Sequence, residues 1–277
     1  MHVRRRPASA RTALLVARRS LAERWRSLAA WTTGIVLISV MQLAVYPSVA
    51  STSREMATFV QSWPEALREA FGLADYTSGP GYLNAELFTF VVPLVLIGVA
   101  GSAGAAATAG EEERGTADLL LALPLRRAAV LAGKVLAMVA ATVLVGAALA
   151  VTLLVGAPLA DLSVSTGGVL AAVTASALLA LAFGGVALLL GALTGHRGTA
   201  LGVAMGLAIA AFLLQALAPL AEWLEPWQPV SPFHWAYADR PLAGGLDGAG
   251  AALLGLLAVV TVLAAGAVFT RRDVGTG

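Results

Sequence analysis

The sequence predicts an all-α, polytopic membrane protein with six transmembrane helices, and three observations lead to this prediction. Hydrophobic residues make up 58% of the 277 positions and charged residues only 12%, whereas a soluble domain is about 25% charged. The apolar residues fall in six runs, each near the ~20 residues that a helix needs to cross ~30 Å of hydrocarbon. The runs do not alternate polar with apolar residues, so they are predicted to be helices, which satisfy their own backbone in lipid.

The six predicted spans are residues 28–49, 86–109, 128–156, 169–193, 199–219 and 249–269. Residues 28–277 therefore form one predicted transmembrane domain, and residues 1–27 precede it. The sequence contains no cysteine, which excludes disulfides and thiolate metal sites.

Residues 1–27 are strongly basic and are predicted to form an interfacial helix. They hold eight of the eighteen Lys and Arg residues. One helical face carries Leu14, Leu21, Trp25 and Leu28, and arginines lie between these residues in the sequence. This pattern indicates a helix lying on anionic lipid headgroups rather than on nucleic acid. A signal peptide is the alternative, but its apolar region spans about 7 to 15 residues, and the first run here is longer and is followed by further spans.

The distribution of positive charge predicts the orientation of the spans. When both ends of the chain and the loops 110–134 and 194–198 share one side, fifteen of the eighteen Lys and Arg residues lie there. Arg54, Arg68 and Arg240 remain on the opposite side. Because cytoplasmic loops carry an excess of positive charge, both termini and residues 110–134 are predicted to be cytoplasmic.

The connection between the second and third spans, residues 110–134, is short, polar and rich in leucine. Three adjacent carboxylates beginning at Glu111 end the second span, and Gly115 breaks the helix. Pro124 stops the leucine-rich turns that follow, because proline disfavours helical geometry in the preceding residue and suits the first turn of the next helix. A hairpin tip between two membrane helices is the predicted result.

The order of residues in this connection resembles the signature of ABC transporter permeases of the type 2 exporter superfamily. The matching residues are Glu111, Glu112, Gly115, Thr116, Leu119, Leu120, Leu123, Pro124, Arg127, Gly133 and Lys134. The resemblance implies that the stretch is an intracellular coupling helix, which docks in a cleft of a separate ATPase subunit. The ATPase-coupling residues that it implies are Glu111, Glu112, Gly115, Thr116, Leu119, Leu120, Pro124 and Arg127.

Three further segments are similar to the same family. PEALREAFG and then GPGYLNAELF, which leads into the second span, resemble a branch of antibiotic and multidrug exporters. SPFHWAYADRPLAGG resembles the re-entrant element between the last two helices. The alternative is that residues 110–134 form an ordinary cytoplasmic hairpin that happens to carry Glu, Gly, Pro and Arg.

Small residues recur at helical spacing on three spans. On the fourth span the series Ala172, Ser176, Ala180 and Gly184 predicts close packing inside the subunit, because small side chains let helix backbones approach in lipid. On the second and fifth spans the glycines predict either helix packing or a subunit interface. These glycines are Gly98, Gly101, Gly198, Gly202 and Gly206.

Several motifs are missing from the sequence. No Gly-x-x-x-x-Gly-Lys-Ser/Thr loop occurs, so the chain has no phosphate-binding loop for nucleotide. The spans hold no central carboxylate, lysine or histidine, which disfavours an ion-coupled transporter. The sequence contains no HExxH motif and no serine with a plausible base, so it gives no sign of a catalytic site. We therefore expect no catalytic, metal or cofactor site on this chain.

Taken with these absences, the resemblance implies the permease subunit of an ATP-driven ABC exporter in the cytoplasmic membrane of a bacterium. The expected partners are a cytoplasmic ABC ATPase, which would hold ATP and Mg²⁺, a second permease copy or paralogue, and membrane lipid. The expected substrate is hydrophobic or amphipathic: a drug, an antibiotic or a lipid. The alternative is a membrane anchor or assembly subunit that holds a cytosolic ATPase without transport. One sequence leaves the substrate and the choice between homodimer and heterodimer open.

Overall fold

The computed structural model describes residues 9–52, 58–70, 76, 78–112 and 127–271. In chain order its α-helices are α1 (Ser9–Glu23), α2 (Trp25–Ser51), α3 (Glu65–Ala70), α4 (Gly79–Leu83), α5 (Val91–Glu112), α6 (Arg127–Leu159), α7 (Thr166–Thr194), α8 (Arg197–Leu217), α9 (Pro232–Tyr237), α10 (Pro241–Gly244) and α11 (Gly248–Arg271). A π-helical segment, Asn84–Phe88, precedes α5, and two 3₁₀ turns, Ala218–Leu220 and Glu225–Val230, follow α8.

Six of these helices, α2, α5, α6, α7, α8 and α11, are long and apolar enough to cross a membrane, and they are the six found in the described part of the chain. The predicted all-α, polytopic fold is confirmed. At the N-terminus the chain turns between α1 and α2 at Arg24 (φ −104°, ψ 7°). The first membrane helix therefore begins at Trp25, three residues before the predicted start.

The second predicted span begins too early. Glu86, its predicted first residue, lies in the π-helical segment, and the membrane helix α5 starts only at Val91. The Thr89 N–H donates to the Asn84 carbonyl, five residues back, at 2.8 Å. Pro93 suits the first turn of α5, because its missing N–H would have no intrahelical partner there.

Helix α7 occupies the centre of the bundle and packs against α5, α6, α8 and α11. Ala172, Ser176 and Ala180 are buried. A Cβ placed on Gly184 would lie 2.9 Å from both the Ala100 Cβ and the Met138 Sδ, so α7 meets its neighbours at close to backbone distance. The predicted packing of these small residues inside the subunit is confirmed.

The short elements collect at one end of the bundle, which we call the aromatic end. It comprises α3, α4, the π-helical segment, the two 3₁₀ turns, α9 and α10. Trp223 and Trp227 are exposed there. The opposite end, where α5 stops and α6 begins, is called the hairpin end.

Candidate functional site

The predicted coupling hairpin begins at the last turn of α5 and finishes on the first turns of α6. Glu111 and Glu112 are the last residues of α5, and Arg127 is the first of α6. The side chains of Glu111 and Glu112 lie outside the described residues, as do the predicted coupling residues Gly115, Thr116, Leu119, Leu120 and Pro124. The ATPase-coupling roles of these residues therefore stay predictions.

Helix α1 packs directly on the part of α6 that follows the hairpin. A Cβ placed on Gly133 would lie 2.5 Å from the Ala13 carbonyl oxygen and 2.7 Å from the Val16 Cβ. Only a residue without a side chain permits this crossing of two backbones. In the sequence Gly133 was recognised through the family resemblance alone, and the structure adds its packing role.

The opposite face of α1 carries exposed apolar and basic side chains. Leu14 is 58% exposed and Leu15 67% exposed, and Arg11 and Arg18 are also exposed. Apolar and basic side chains on one exposed surface are typical of a helix in the headgroup region. Of the four residues assigned to its apolar face, Leu14 and Trp25 are exposed, whereas Leu21 and Leu28 pack partly buried against the core.

Replacing Gly133 with leucine is expected to separate α1 from α6, because the new side chain meets the backbone of Ala13. Overpacking of this kind typically costs about 1 to 3 kcal/mol, so the melting temperature of the purified chain should fall. Gly255→Leu is the matched control, since a Cβ there would meet none of the described atoms within 4 Å. Equal melting temperatures for the two variants would show that α1 does not depend on this crossing.

The side chain of Arg24 attaches the corner between α1 and α2 to α5. The Arg24 Nη2 donates to the Ser102 carbonyl at 2.6 Å. A hydrogen bond from a charged donor is stronger than a neutral one, so the bond ties the N-terminal helix to the second membrane helix. Sequence reasoning counted Arg24 only as one basic residue among eight. Its partner lies 78 residues away along the chain, and no local pattern signals the pair.

A polar network at the aromatic end joins α2 to the segment before α5. The Gln42 Nε2 donates to one Glu86 carboxylate oxygen at 2.9 Å, and the Tyr76 hydroxyl donates to the other at 2.8 Å. The Tyr82 hydroxyl donates to the Gln42 carbonyl at 3.0 Å. Burial, and secondarily the negative charge of Glu86, raise the pKa of Tyr82 to about 12, so its hydroxyl remains a donor at neutral pH.

The glycines of the second and fifth predicted spans have different surroundings. A Cβ on Gly98 would lie 3.2 Å from the Trp31 Cη2, and one on Gly101 would lie 3.3 Å from the Leu201 Cδ1. These two glycines therefore contribute to helix packing inside the subunit.

The glycines of the fifth predicted span lie on an open face of α8. Within the part of the chain that the structure describes, a Cβ placed on Gly198, Gly202 or Gly206 would meet no atom within 4 Å. Val203 and Leu207 beside them are exposed. Helix α8 thus presents a small-residue surface, which we call the α8 glycine face, away from its own subunit.

Within the described residues no group of three or more His, Cys, Asp or Glu residues could hold a metal ion.

The six apolar helices define a multi-pass membrane protein. Comparison with protein-family models matches residues 14–274 to the ABC-2 family transporter proteins. The chain belongs to this family, whose members are membrane subunits of ABC transporters. Membership confirms the resemblance to type 2 permeases and implies association with an ABC ATPase subunit. No curated protein matches the chain.

Proposed function

We propose that the chain is the permease subunit of an ATP-driven exporter that moves a hydrophobic or amphipathic substrate out across a bacterial cytoplasmic membrane. The family match over residues 14–274, which includes all six membrane helices, carries this proposal. The sequence supports it, because the chain has no phosphate-binding loop and needs another subunit to hold ATP and Mg²⁺. Residues 113–126, between α5 and α6, are the segment that would meet that subunit.

A second permease copy or paralogue completes the proposed transporter. The α8 glycine face supports this step, because a Cβ on Gly198, Gly202 or Gly206 would meet no described atom of its own subunit within 4 Å. In lipid, helices associate through close packing of small residues, since apolar side chains gain nothing by leaving lipid tails for one another. A second chain seated on α8 would supply that packing.

The topology of the proposed exporter can be tested in this cysteine-free chain. Single cysteines at Ala117 and Gly277 are expected to react with a membrane-impermeant maleimide only after the membrane is opened. A cysteine at Ser53 is expected to react in intact cells. The physical reason is the concentration of Lys and Arg on the side of the termini and the hairpin. Labelling of Ala117→Cys in intact cells would reverse the orientation and remove the proposed contact with a cytoplasmic ATPase.

The function itself is tested by purifying the native complex and reconstituting it in liposomes. Movement of an amphipathic compound that requires ATP and is indifferent to a proton gradient is the expected result. An ATPase that binds the chain and hydrolyses ATP without moving any compound would instead identify a membrane anchor. Movement that follows the proton gradient without ATP would identify an ion-driven transporter.

A further inference from the structure

A cavity of about 360 Å³ lies at the aromatic end, within a single subunit. Its walls come from α4 and the π-helical segment, from the last turns of α8, and from α9, α10 and the second 3₁₀ turn. Pockets for small molecules typically measure about 300 to 1,000 Å³. This cavity is therefore large enough for a lipid headgroup or a small amphiphile, and too small for a whole two-chain lipid.

Two polar atoms of the lining are buried and have no hydrogen-bond partner among the described residues. They are the Gln215 Oε1, near the end of α8, and the His234 Nδ1, on α9. Buried polar atoms are nearly always paired, and an unpaired one in a native structure requires an explanation. Gln215 offers an acceptor, and the His234 nitrogen can accept or donate according to its tautomer. A molecule in the cavity that carries hydroxyl or amide hydrogens would satisfy both.

One wall of the cavity is aromatic and apolar. Phe212 and Phe233 meet edge to face, with ring centroids 5.6 Å apart, and Phe88 beside them is fully buried. Aromatic pairs favour this edge-to-face geometry. The wall therefore suits the apolar part of a ligand whose polar part reaches Gln215.

Arg240 gives the cavity a positively charged rim. Among the described residues that line the cavity, Arg240 carries a permanent charge and none is a carboxylate. Arg240 is exposed, which places it at the rim, and its backbone has φ 47° and ψ 73°. This left-handed conformation is costly for a residue other than glycine. The turn is held because the Arg240 N–H donates to the Tyr237 carbonyl at 3.0 Å and the Arg240 carbonyl accepts from the Ala243 N–H at 2.9 Å.

We propose that this cavity binds the head of an acidic amphiphile that carries hydroxyl or amide donors. The apolar part contacts Phe212 and Phe233, a donor reaches the Gln215 Oε1, and the anionic group pairs with Arg240. A phosphate linked to glycerol has this chemistry. The same chemistry occurs in a membrane lipid and in an exported substrate. As a statement about the exported substrate, the inference rests on the proposed function.

Binding is tested first, on the full chain in nanodiscs, without ATP or an ATPase. The probe is lysophosphatidylglycerol below its micelle concentration, and lysophosphatidylcholine is the comparison, because it has the same phosphate but no net charge and no glycerol head. Calorimetry is expected to show one site that prefers the glycerol lipid at least tenfold. Gln215→Leu and Arg240→Gln should each weaken binding about tenfold. The control Gln61→Leu, an exposed glutamine outside the cavity lining, should bind as the unmodified chain does.

Ala216→Phe is a second variant, which fills the cavity from α8 and keeps the test decisive if Gln215→Leu fails to fold. It should abolish binding while the melting temperature stays unchanged. Equal binding of the two lipids, or unchanged binding by well-folded Ala216→Phe or Gln215→Leu, would overturn the inference.

A transport measurement then separates the two sources of the ligand. ATP-driven movement of phosphatidylglycerol by the reconstituted complex, lost in Ala216→Phe, would make the ligand the exported substrate. Binding without such movement, when other amphiphiles do move, would make it a resident membrane lipid. If no compound moves at all, the proposed export fails while the measured binding site stands.

Discussion

Replacing Leu120 with aspartate is expected to abolish ATP-coupled transport while membrane insertion stays normal. Residues 113–126 connect the end of α5 to the start of α6, and their leucine-rich turns are predicted to lie in the cytoplasm, where apolar side chains need a partner. An unpaired charge in a desolvated contact costs several kcal/mol, and about 3 kcal/mol weakens an association more than a hundredfold. The measurement is the amount of ATPase that co-purifies with the permease, together with transport by the reconstituted complex.

Leu246→Asp is the matched control for this prediction. Leu246 is an exposed leucine in the connection between α10 and α11, at the aromatic end. It receives the same change of charge and volume on the side where no ATPase is expected. The control should bind the ATPase and transport normally. A Leu120→Asp variant that keeps its ATPase and transports at the unmodified rate would reduce residues 110–134 to an ordinary loop.

The six membrane helices could be predicted from the sequence because each satisfies its own backbone and needs only an uninterrupted apolar run. The start of the second helix could not be predicted with the same rule. The segment Asn84–Phe88 leads without a break into an apolar run, yet the Thr89 N–H that closes it bonds the carbonyl five residues back instead of four. Local composition indicates how hydrophobic a segment is, but it does not indicate which carbonyl accepts a hydrogen bond from each N–H.

The sequence could not predict which helices pack against one another. Gly98 and Gly101 on α5 have the same chemistry as Gly202 and Gly206 on α8, yet the first pair faces Trp31 and Leu201 while the second faces away from the subunit. Spacing predicts which residues share a helix face, whereas the rotation of that face is set by packing against the whole bundle. The hydrogen bond between Gln42 and Glu86 could not be predicted either, because its partners lie 44 residues apart in the sequence.

Replacing Gly202 with leucine is expected to break the permease dimer and leave the single chain intact. A Cβ at this position would meet no atom of the described residues within 4 Å, and leucine favours a helix over glycine by nearly 1 kcal/mol. The fold should therefore be as stable as before. At a close contact between two α8 glycine faces, however, the added side chain would hold the helices apart, and small-residue packing is what drives association in lipid. Crosslinking yield in membranes measures the dimer, and the melting temperature measures the subunit.

Gly104→Leu makes the same chemical change on α5 and is expected to have the opposite outcome. A Cβ on Gly104 would collide with the Gly184 carbonyl and lie 3.1 Å from the Leu188 nitrogen. Backbone atoms in the centre of a bundle cannot move aside, so destabilisation should reach the upper end of the ~1 to 3 kcal/mol typical of overpacking. The single chain should then melt earlier whether or not dimers form. If Gly202→Leu instead lowers the melting temperature of the single chain and leaves crosslinking unchanged, the α8 glycine face stabilises the subunit, and the contact between permeases must lie on another helix.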